Sequence, residues 1–225
     1  IHSLLSDPMF SFVSEEEQMN AVEVINGDVT RENAGIDPVL LEQLRRDTAI
    51  SYLIHCAAAV SFTQSLEDAA RSNISSALFM QKLAFNIANN GVKFVQVSTA
   101  FVHGGETGTS GAPLGETLYP LGRFDALQIY QSMTGTQFYA ATAMRELGFP
   151  NTYAFSKCVC EHLLARSAVE TVVIRPSIVG PSLFSPHQGW AGSKPSTLVA
   201  GACLYFLYQW NLWLFASHHV ACIPV

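Results

Sequence analysis

Four short apolar runs, separated by stretches with helical spacing, limit what this chain can fold into. Ala21-Val22-Glu23-Val24-Ile25, Ile50 to His55, Val92 to Val97 and Glu170 to Ile174 have strand character. Ahead of them, residues 1–20 read as the tail of a helix and a polar connection through Glu15-Glu16-Glu17. Between the runs, Ile36, Leu40, Leu41 and Leu44 mark a helix over 37–47 that ends in Arg45-Arg46. Leu66, Ala70, Ala77, Leu83 and Ile87 trace a second helix over about 65–89, and a third is predicted over about 151–168. Strands alternating with helices specify an α/β fold with a parallel sheet. Ligands of such sheets bind beyond the carboxyl ends of the strands. Asp28, Ala57-Ala58, Ser98-Thr99 and Arg175-Pro176 all stand at such ends, and that convergence outweighs any single motif.

The third helix carries Tyr153-Ala154-Phe155-Ser156-Lys157, so Tyr153, Lys157 and Glu161 share one face. A cation beside a phenol favours phenolate and lowers the Tyr pKa, which suits proton donation to a nascent alkoxide. Alone the motif is weak, because ordinary helix surfaces produce it by chance. Cys56-Ala57-Ala58-Ala59 allows a close approach to the backbone, either for tight helix–sheet packing or as a ligand floor. The run Gly104 to Gly111 lacks the G-x-G-x-x-G order and no helical pattern follows it. Residues 103–148 therefore read as a flexible, Gly- and Pro-rich insertion, of the kind that often serves as a lid or substrate loop.

Composition removes several classes. The 225 residues are 49% hydrophobic and 13% charged, with a net charge of -6 and no basic cluster, which excludes a nucleic-acid surface. The five cysteines (Cys56, Cys158, Cys160, Cys203, Cys222) read as reduced thiols in a cytosolic environment, and Cys158-Val159-Cys160 lacks a second ligand pair, so no metal is expected. Asn73-Ile74-Ser75 fits a glycosylation acceptor but is discounted without a secretory signal. From Pro195 onwards there is no Asp, Glu, Lys or Arg. Thr197 to Ser217 meets the roughly 20 residues that a bilayer span needs, yet Gln209 and Asn211 interrupt it. It reads either as a buried or substrate-lining helix or as a membrane-embedded or interfacial segment, the latter placing the protein at the cytoplasmic face of an intracellular membrane. The chain begins at Ile1 and ends on Ile223-Pro224-Val225, and both ends read as cuts. The domain reading is 1–196 for the α/β part and 197–225 for the apolar helical segment.

Taken together, Gly27-Asp28, His55-Cys56-Ala57-Ala58, Asn73, Val97-Ser98-Thr99-Ala100, Tyr153-x-x-x-Lys157 and Arg175-Pro176-Ser177 resemble the extended short-chain dehydrogenase/reductase family. Within it the chain looks like a fatty acyl-CoA reductase NAD-binding domain. Val97 to Val102, Pro150-Asn151-Thr152-Tyr153 with Lys157 and Glu161, Ile174 to Val179 and Pro186-x-x-Gly189-Trp190 carry that likeness. The resemblance covers about Val22 to Trp190, leaving the loop 103–148 and the segment after Lys194 poorly matched.

The resemblance implies a Rossmann-like doubly wound parallel sheet and a nicotinamide cofactor, NADPH by family habit with NADH as the alternative. It implies that Asp28 bonds the adenine amino group with Val29 beside the ring. Ala57 and Ala58 run along the cofactor near the ribose, and Pro176 and Ser177 lie near the nicotinamide. Thr99, or else Ser98, bonds the substrate carbonyl; Tyr153 is the general acid; Lys157 holds the ribose and lowers the Tyr pKa; Asn73 supports the site. The implied reaction is reduction of a fatty acyl-CoA thioester through the aldehyde to a primary alcohol. Rival readings are a carrier-bound thioester reductase, a sugar-nucleotide or sterol oxidoreductase, or a non-catalytic membrane-associated protein keeping a decayed reductase fold. The family's Gly-rich turn, first strand, first helix and second strand would precede residue 1. In the order 3-2-1-4-5-6, the Val22–Ile25 and Ser51–His55 strands then lack the neighbours that lie between them. Without the helix N-terminus that holds the pyrophosphate, the chain by itself is expected to bind dinucleotide poorly and to be inactive.

Overall fold

Three parallel strands, β1 (Tyr52–His55), β2 (Lys93–Val97) and β3 (Thr171–Ile174), pair in the order β1-β2-β3. Leu53 faces Phe94 and His55 faces Gln96 across the first pair; Val95 faces Val172 and Val97 faces Ile174 across the second. The computed structural model describes residues 14–47, 49–87, 91–104, 115–184 and 186–192. The chain divides into two units, residues 26–177 and residues 1–25 with 178–225. The first unit holds the sheet.

Helix α1 (Glu15–Ala21) belongs to the other unit and opens on a capping box, in which the Glu17 amide donates to the Ser14 hydroxyl and the Ser14 amide donates to the Glu17 carboxylate. In the same unit the Ser182 amide donates to the Trp190 carbonyl over 2.7 Å, closing the 182–190 turn. In the sheet-bearing unit, α2 (Pro38–Arg46) starts where Asp37 accepts from the Val39 and Leu40 amides. Helix α3 runs through Leu66–Ala69, a π-helical turn over Ala70–Ser75, and Ser76–Ile87, crossing from β1 to β2. Helices α4 (Ala126–Met133), α5 (Phe138–Glu146) and α6 (Thr152–Leu164) make up the β2-to-β3 crossover.

Two expectations change. The Ala21–Ile25 strand does not form: Ala21 closes α1, and Val22 to Asp28 is exposed and pairs with no described strand. A lone extended segment gains no ladder bonds, so its backbone groups stay with water. Within the expected insertion 103–148, residues 115–148 are ordered by α4 and α5, whose Ala126, Ile129, Met133, Ala140 and Ala143 are buried. Asp125 caps α4 by accepting from the Leu127 and Gln128 amides. The Gly and Pro content hid these two short helices because each buries little more than one stripe. Residues 105–114 and the 197–217 segment lie outside the described residues. Among the described residues no helix is long and apolar enough to cross a membrane.

The core lies between the sheet and α3, α4 and α6, with Phe94, Ile74, Ile129, Met133, Phe155, Val159 and Leu164 fully buried. Every residue of α6 from Ala154 to Glu161 is buried, as for a helix surrounded by protein. Phe155 packs at 5.3 Å from Phe149, which meets Tyr119 edge-on at 5.7 Å. Gly104 has a φ of +49°, and a Cβ there would lie 2.5 Å from the Leu147 carbonyl oxygen, so only glycine fits. On the opposite sheet face Tyr52, Ile54, Val172 and Ile174 are exposed.

Two stability measurements follow from this packing. Phe155→Ala should cost about 3–5 kcal/mol in denaturant unfolding, against under about 0.5 kcal/mol for Val39→Ala on the exposed side of α2. His55 is buried against Phe94, and burial, with the charge of Lys157 adding to it, pushes its pKa down to about 4. A depressed histidine leaves stability intact above its unfolded value near 6.5 and removes it as pH falls towards 4. Unfolding free energy should therefore drop by about 2–3 kcal/mol across that window, and His55→Gln should flatten the drop; an unchanged slope would contradict the burial of His55.

Candidate active site

Beyond the C-terminal ends of the strands lies a cleft of about 220 Å³. Cys56, Ala58 and Val60 line it from the loop after β1, Ser98 and Thr99 from the end of β2, Tyr153 and Lys157 from α6, and Pro176 and Ser177 from the segment after β3. The expected Thr99, Ser98, Tyr153, Lys157, Ala58, Pro176 and Ser177 thus meet in one place.

Local structure explains how each group arrives there. Asn151 caps α6 by accepting from the Ala154 amide over 2.8 Å, which sets Tyr153 in the first turn and Lys157 and Glu161 one and two turns later. Thr99 lies two residues beyond the end of β2 and caps a 3-10 turn over Ala100–His103, its hydroxyl accepting from the Phe101 amide. The Ser98 amide donates to the Ile174 carbonyl over 2.7 Å and the Ala100 amide to the Pro176 carbonyl over 2.9 Å, so the β2–β3 pairing continues past the strands and holds Thr99 beside Pro176. Asn73, on the π-helical turn, grips the loop after β1: its amide accepts from the Ala59 amide over 2.9 Å and donates to the Ala59 carbonyl and the Ser156 hydroxyl, each over 3.1 Å. The wider turn places a side chain that a regular helix would present elsewhere, a use often seen near functional sites. Asn73 therefore supports the Cys56–Ala59 floor from beneath.

Lys157 is buried and donates to the Val97 carbonyl over 2.8 Å. The same oxygen accepts from the Gln96 side-chain amide over 3.0 Å, using both of its lone pairs. Burial lowers the Lys157 pKa, with Cys160, Glu161 and Cys56 acting the other way. Tyr153 is half-buried, and burial raises its pKa against a lowering hydrogen bond with Thr99. The lowering of Tyr153 expected from Lys157 is corrected here: the shift instead runs upward through desolvation of the phenol, opposed by the Thr99 hydrogen bond. Phe62 lies 6.0 Å from the Tyr153 ring and forms an exposed apolar shoulder to it.

Other expected residues stand apart from the cleft. Asp28 closes a turn, its carboxylate accepting from the Thr30 amide and hydroxyl, which hold its pKa down. The turn is tight: the Asp28 amide donates to the Ala34 carbonyl, and a Cβ on Gly27 would come within 2.7 Å of that oxygen. Neither Asp28, half-buried Val29 nor exposed Ala57 is among the residues that line the cleft. Ser98, read as an alternative partner for a substrate carbonyl, has its hydroxyl committed to Glu161 over 2.6 Å. Glu161 in turn receives Arg175 through Nε at 3.0 Å and Nη2 at 2.6 Å. The i+4 step from Lys157 to Glu161 and the arginine at a strand end were the visible signals for this pair; only the fold brings them together. Burial pushes the Cys158 and Cys160 thiols up to about 12, so neither supplies a thiolate near neutrality. Among the described residues no group of His, Cys, Asp or Glu is placed to hold a metal ion.

The donor set tests what the cleft could hold. A phenol, an ammonium and a hydroxyl around a floor of small side chains suit the diol of a ribose and the flat amide-bearing ring of a nicotinamide.

Fatty acyl-CoA reductase wat of Drosophila melanogaster is 29% identical over 215 residues, which is 89% of this chain and 39% of that protein. Fatty acyl-CoA reductase 1 of Gallus gallus is 28% identical over 214 residues, covering 90% of this chain and 39% of that protein. The chain thus spans well under half the length of these curated relatives. The X-ray structure of Pal from Bacillus thuringiensis shares the fold, with a TM-score of 0.50 at 18% identity over 90% of this chain and 53% of that one. An NAD-binding family model described as Male sterility protein matches residues 1–225. Since that match runs the length of the sequence, the chain belongs to the Male sterility protein family of NAD-binding domains.

Proposed function

We propose that this chain carries the reducing site of a fatty acyl-CoA reductase, which uses NADPH to take an acyl thioester through the aldehyde to a primary alcohol. The observation that carries the reading is the meeting of Tyr153, Thr99 and Lys157 in one cleft beyond β2. The relatives called fatty acyl-CoA reductases supply the substrate class. When bound, the reduced nicotinamide supplies the hydride. Lys157 and Tyr153 would hold the ribose, Pro176 and Ser177 the nicotinamide, Ala57 and Ala58 the stretch beyond it, and Asp28 with Val29 the adenine.

The chain's own residues handle charge and protons. The Thr99 and Tyr153 hydroxyls donate to the substrate oxygen as it becomes negative, a role in which each donor is aimed in advance. Breaking the C–S bond releases the CoA thiolate and leaves the aldehyde. In the second reduction Tyr153 passes its proton to the alkoxide, giving the alcohol. A phenol whose pKa is raised by burial stays protonated throughout the neutral range, which is the state a donor needs. The Lys157 ammonium, held in the same cleft by the Val97 carbonyl, is the charge available to offset the phenolate left behind. The exposed rings of Phe62 and Phe101 offer apolar contact to an acyl chain.

In the full-length protein, Tyr153→Phe should cut alcohol formation from an acyl-CoA about 10²–10⁴-fold in product chromatography; full turnover would refute the donor role. Thr99→Val, which removes one oxyanion donor at constant size, should cost about 10²-fold in kcat. Because Tyr153 is shifted upward, kcat should hold level through neutrality and fall only as pH passes the ordinary phenol value of 10.0; a falling limb near pH 8 would count against Tyr153.

A further inference from the structure

Glu161 is a carboxylate with side-chain exposure of 1%, on the catalytic helix but outside the residues lining the cleft. Its two oxygens take three donors: the Ser98 hydroxyl and Arg175 Nε on Oε1, and Arg175 Nη2 on Oε2. The Arg175 side chain is itself 18% exposed and spends its Nη2 a second time on the Thr117 carbonyl at 2.9 Å. One carboxylate thus ties together α6, the end of β2, the end of β3 and the segment before α4.

We infer that Glu161 is a positioning residue, which fixes Thr99 relative to Tyr153 by gripping Ser98 and Arg175; the inference rests on the reducing site proposed above. Tyr153 and Glu161 lie eight residues apart on one rigid helix, about 12 Å along its axis, so whatever anchors Glu161 also sets where Tyr153 stands. At the other end of the grip, Ser98 precedes Thr99 and Arg175 precedes Pro176. Their backbones are already joined, Ser98 to Ile174 and Ala100 to Pro176. The carboxylate therefore adds, beside the Lys157–Val97 bond, a second link from the paired strand ends to the helix that carries the donor, and the one that reaches Arg175 after β3.

A buried ion pair is weak evidence of stability, since desolvation offsets much of its Coulomb gain; fixing one arrangement among several is its better-attested use. The neighbours of this pair fit that use. Both residues it holds stand next to groups that face the cleft, and the Arg175 pKa is raised first of all by its hydrogen bond to Glu161.

The test compares wild type, Glu161→Gln and Ser98→Ala in the full-length protein, with steady-state kinetics on an acyl-CoA, thermal melting and residue-resolved amide exchange. Glu161→Gln should lower kcat at least about tenfold while KM for acyl-CoA and for dinucleotide stays within about twofold, as expected when misplacement rather than lost binding slows a reaction. Exchange of the Ser98 and Ala100 amides should quicken, while that of Phe94, bonded to the Glu170 carbonyl, stays as it was. Ser98→Ala, which removes a single hydroxyl, should show the same kinetic pattern more weakly and decides the matter if Glu161→Gln does not fold. Wild-type kcat in both variants, unaltered exchange at Ser98 and Ala100, or loss of kcat together with KM and the melting temperature would overturn the positioning role. Should the wild type fail to reduce acyl-CoA at all, the proposed reaction falls, and the exchange comparison still decides whether Glu161 holds the strand ends.

Discussion

Burying a helix that carries charged side chains forces each of them to find a partner, and the site in this chain is built from that requirement. Helix α6 is surrounded by protein from Ala154 to Glu161, a stretch that includes Lys157. An unpaired charge there would cost far more than the fold could tolerate. Lys157 takes the Val97 carbonyl and Glu161 takes Ser98 and Arg175. Both solutions lie at the carboxyl ends of strands. The same bonds that make the helix tolerable in the core therefore align Tyr153 with Thr99.

Desolvation also sets the chemistry. The phenol of Tyr153 and the ammonium of Lys157 are both displaced towards their neutral forms, and buried His55 is held neutral, in part by the charge of Lys157. Such an environment favours a proton donor over a standing phenolate. It also makes nearby dipoles and hydrogen bonds count for more than they would in water. Asn73 contributes without charge: by bonding both backbone groups of Ala59 it anchors the loop after β1 to α3.

Much of this could be read in advance from the amino acids. The β1, β2, β3, α2, α3 and α6 segments carry unbroken periodic patterns, and Thr99, Tyr153, Lys157 and Pro176 follow in an order that pointed to one site. The strand expected at Ala21–Ile25 did not form, because a strand is defined by its partner and local pattern cannot supply one. Helices α4 and α5 were missed because the Gly and Pro around them mask short stripes of apolar residues. Glu161 and Arg175 were each visible, one by its i+4 step from Lys157 and the other at a strand end, but their contact was not, since residues 14 apart along the chain, across a turn and a strand, have no local signature as a pair.

What the sequence determined by itself was the α/β alternation and the identity of the groups at the strand ends, both consequences of side-chain period and of which residues tolerate close approach. Tertiary structure alone decided their states. Burial raised Tyr153 rather than letting Lys157 lower it, and it gave the Ser98 hydroxyl to Glu161 rather than to a ligand. It also left Asp28 closing a turn apart from the cleft. These outcomes depend on how much water each group loses and which partner stands within about 3 Å, quantities that exist only once distant segments have packed.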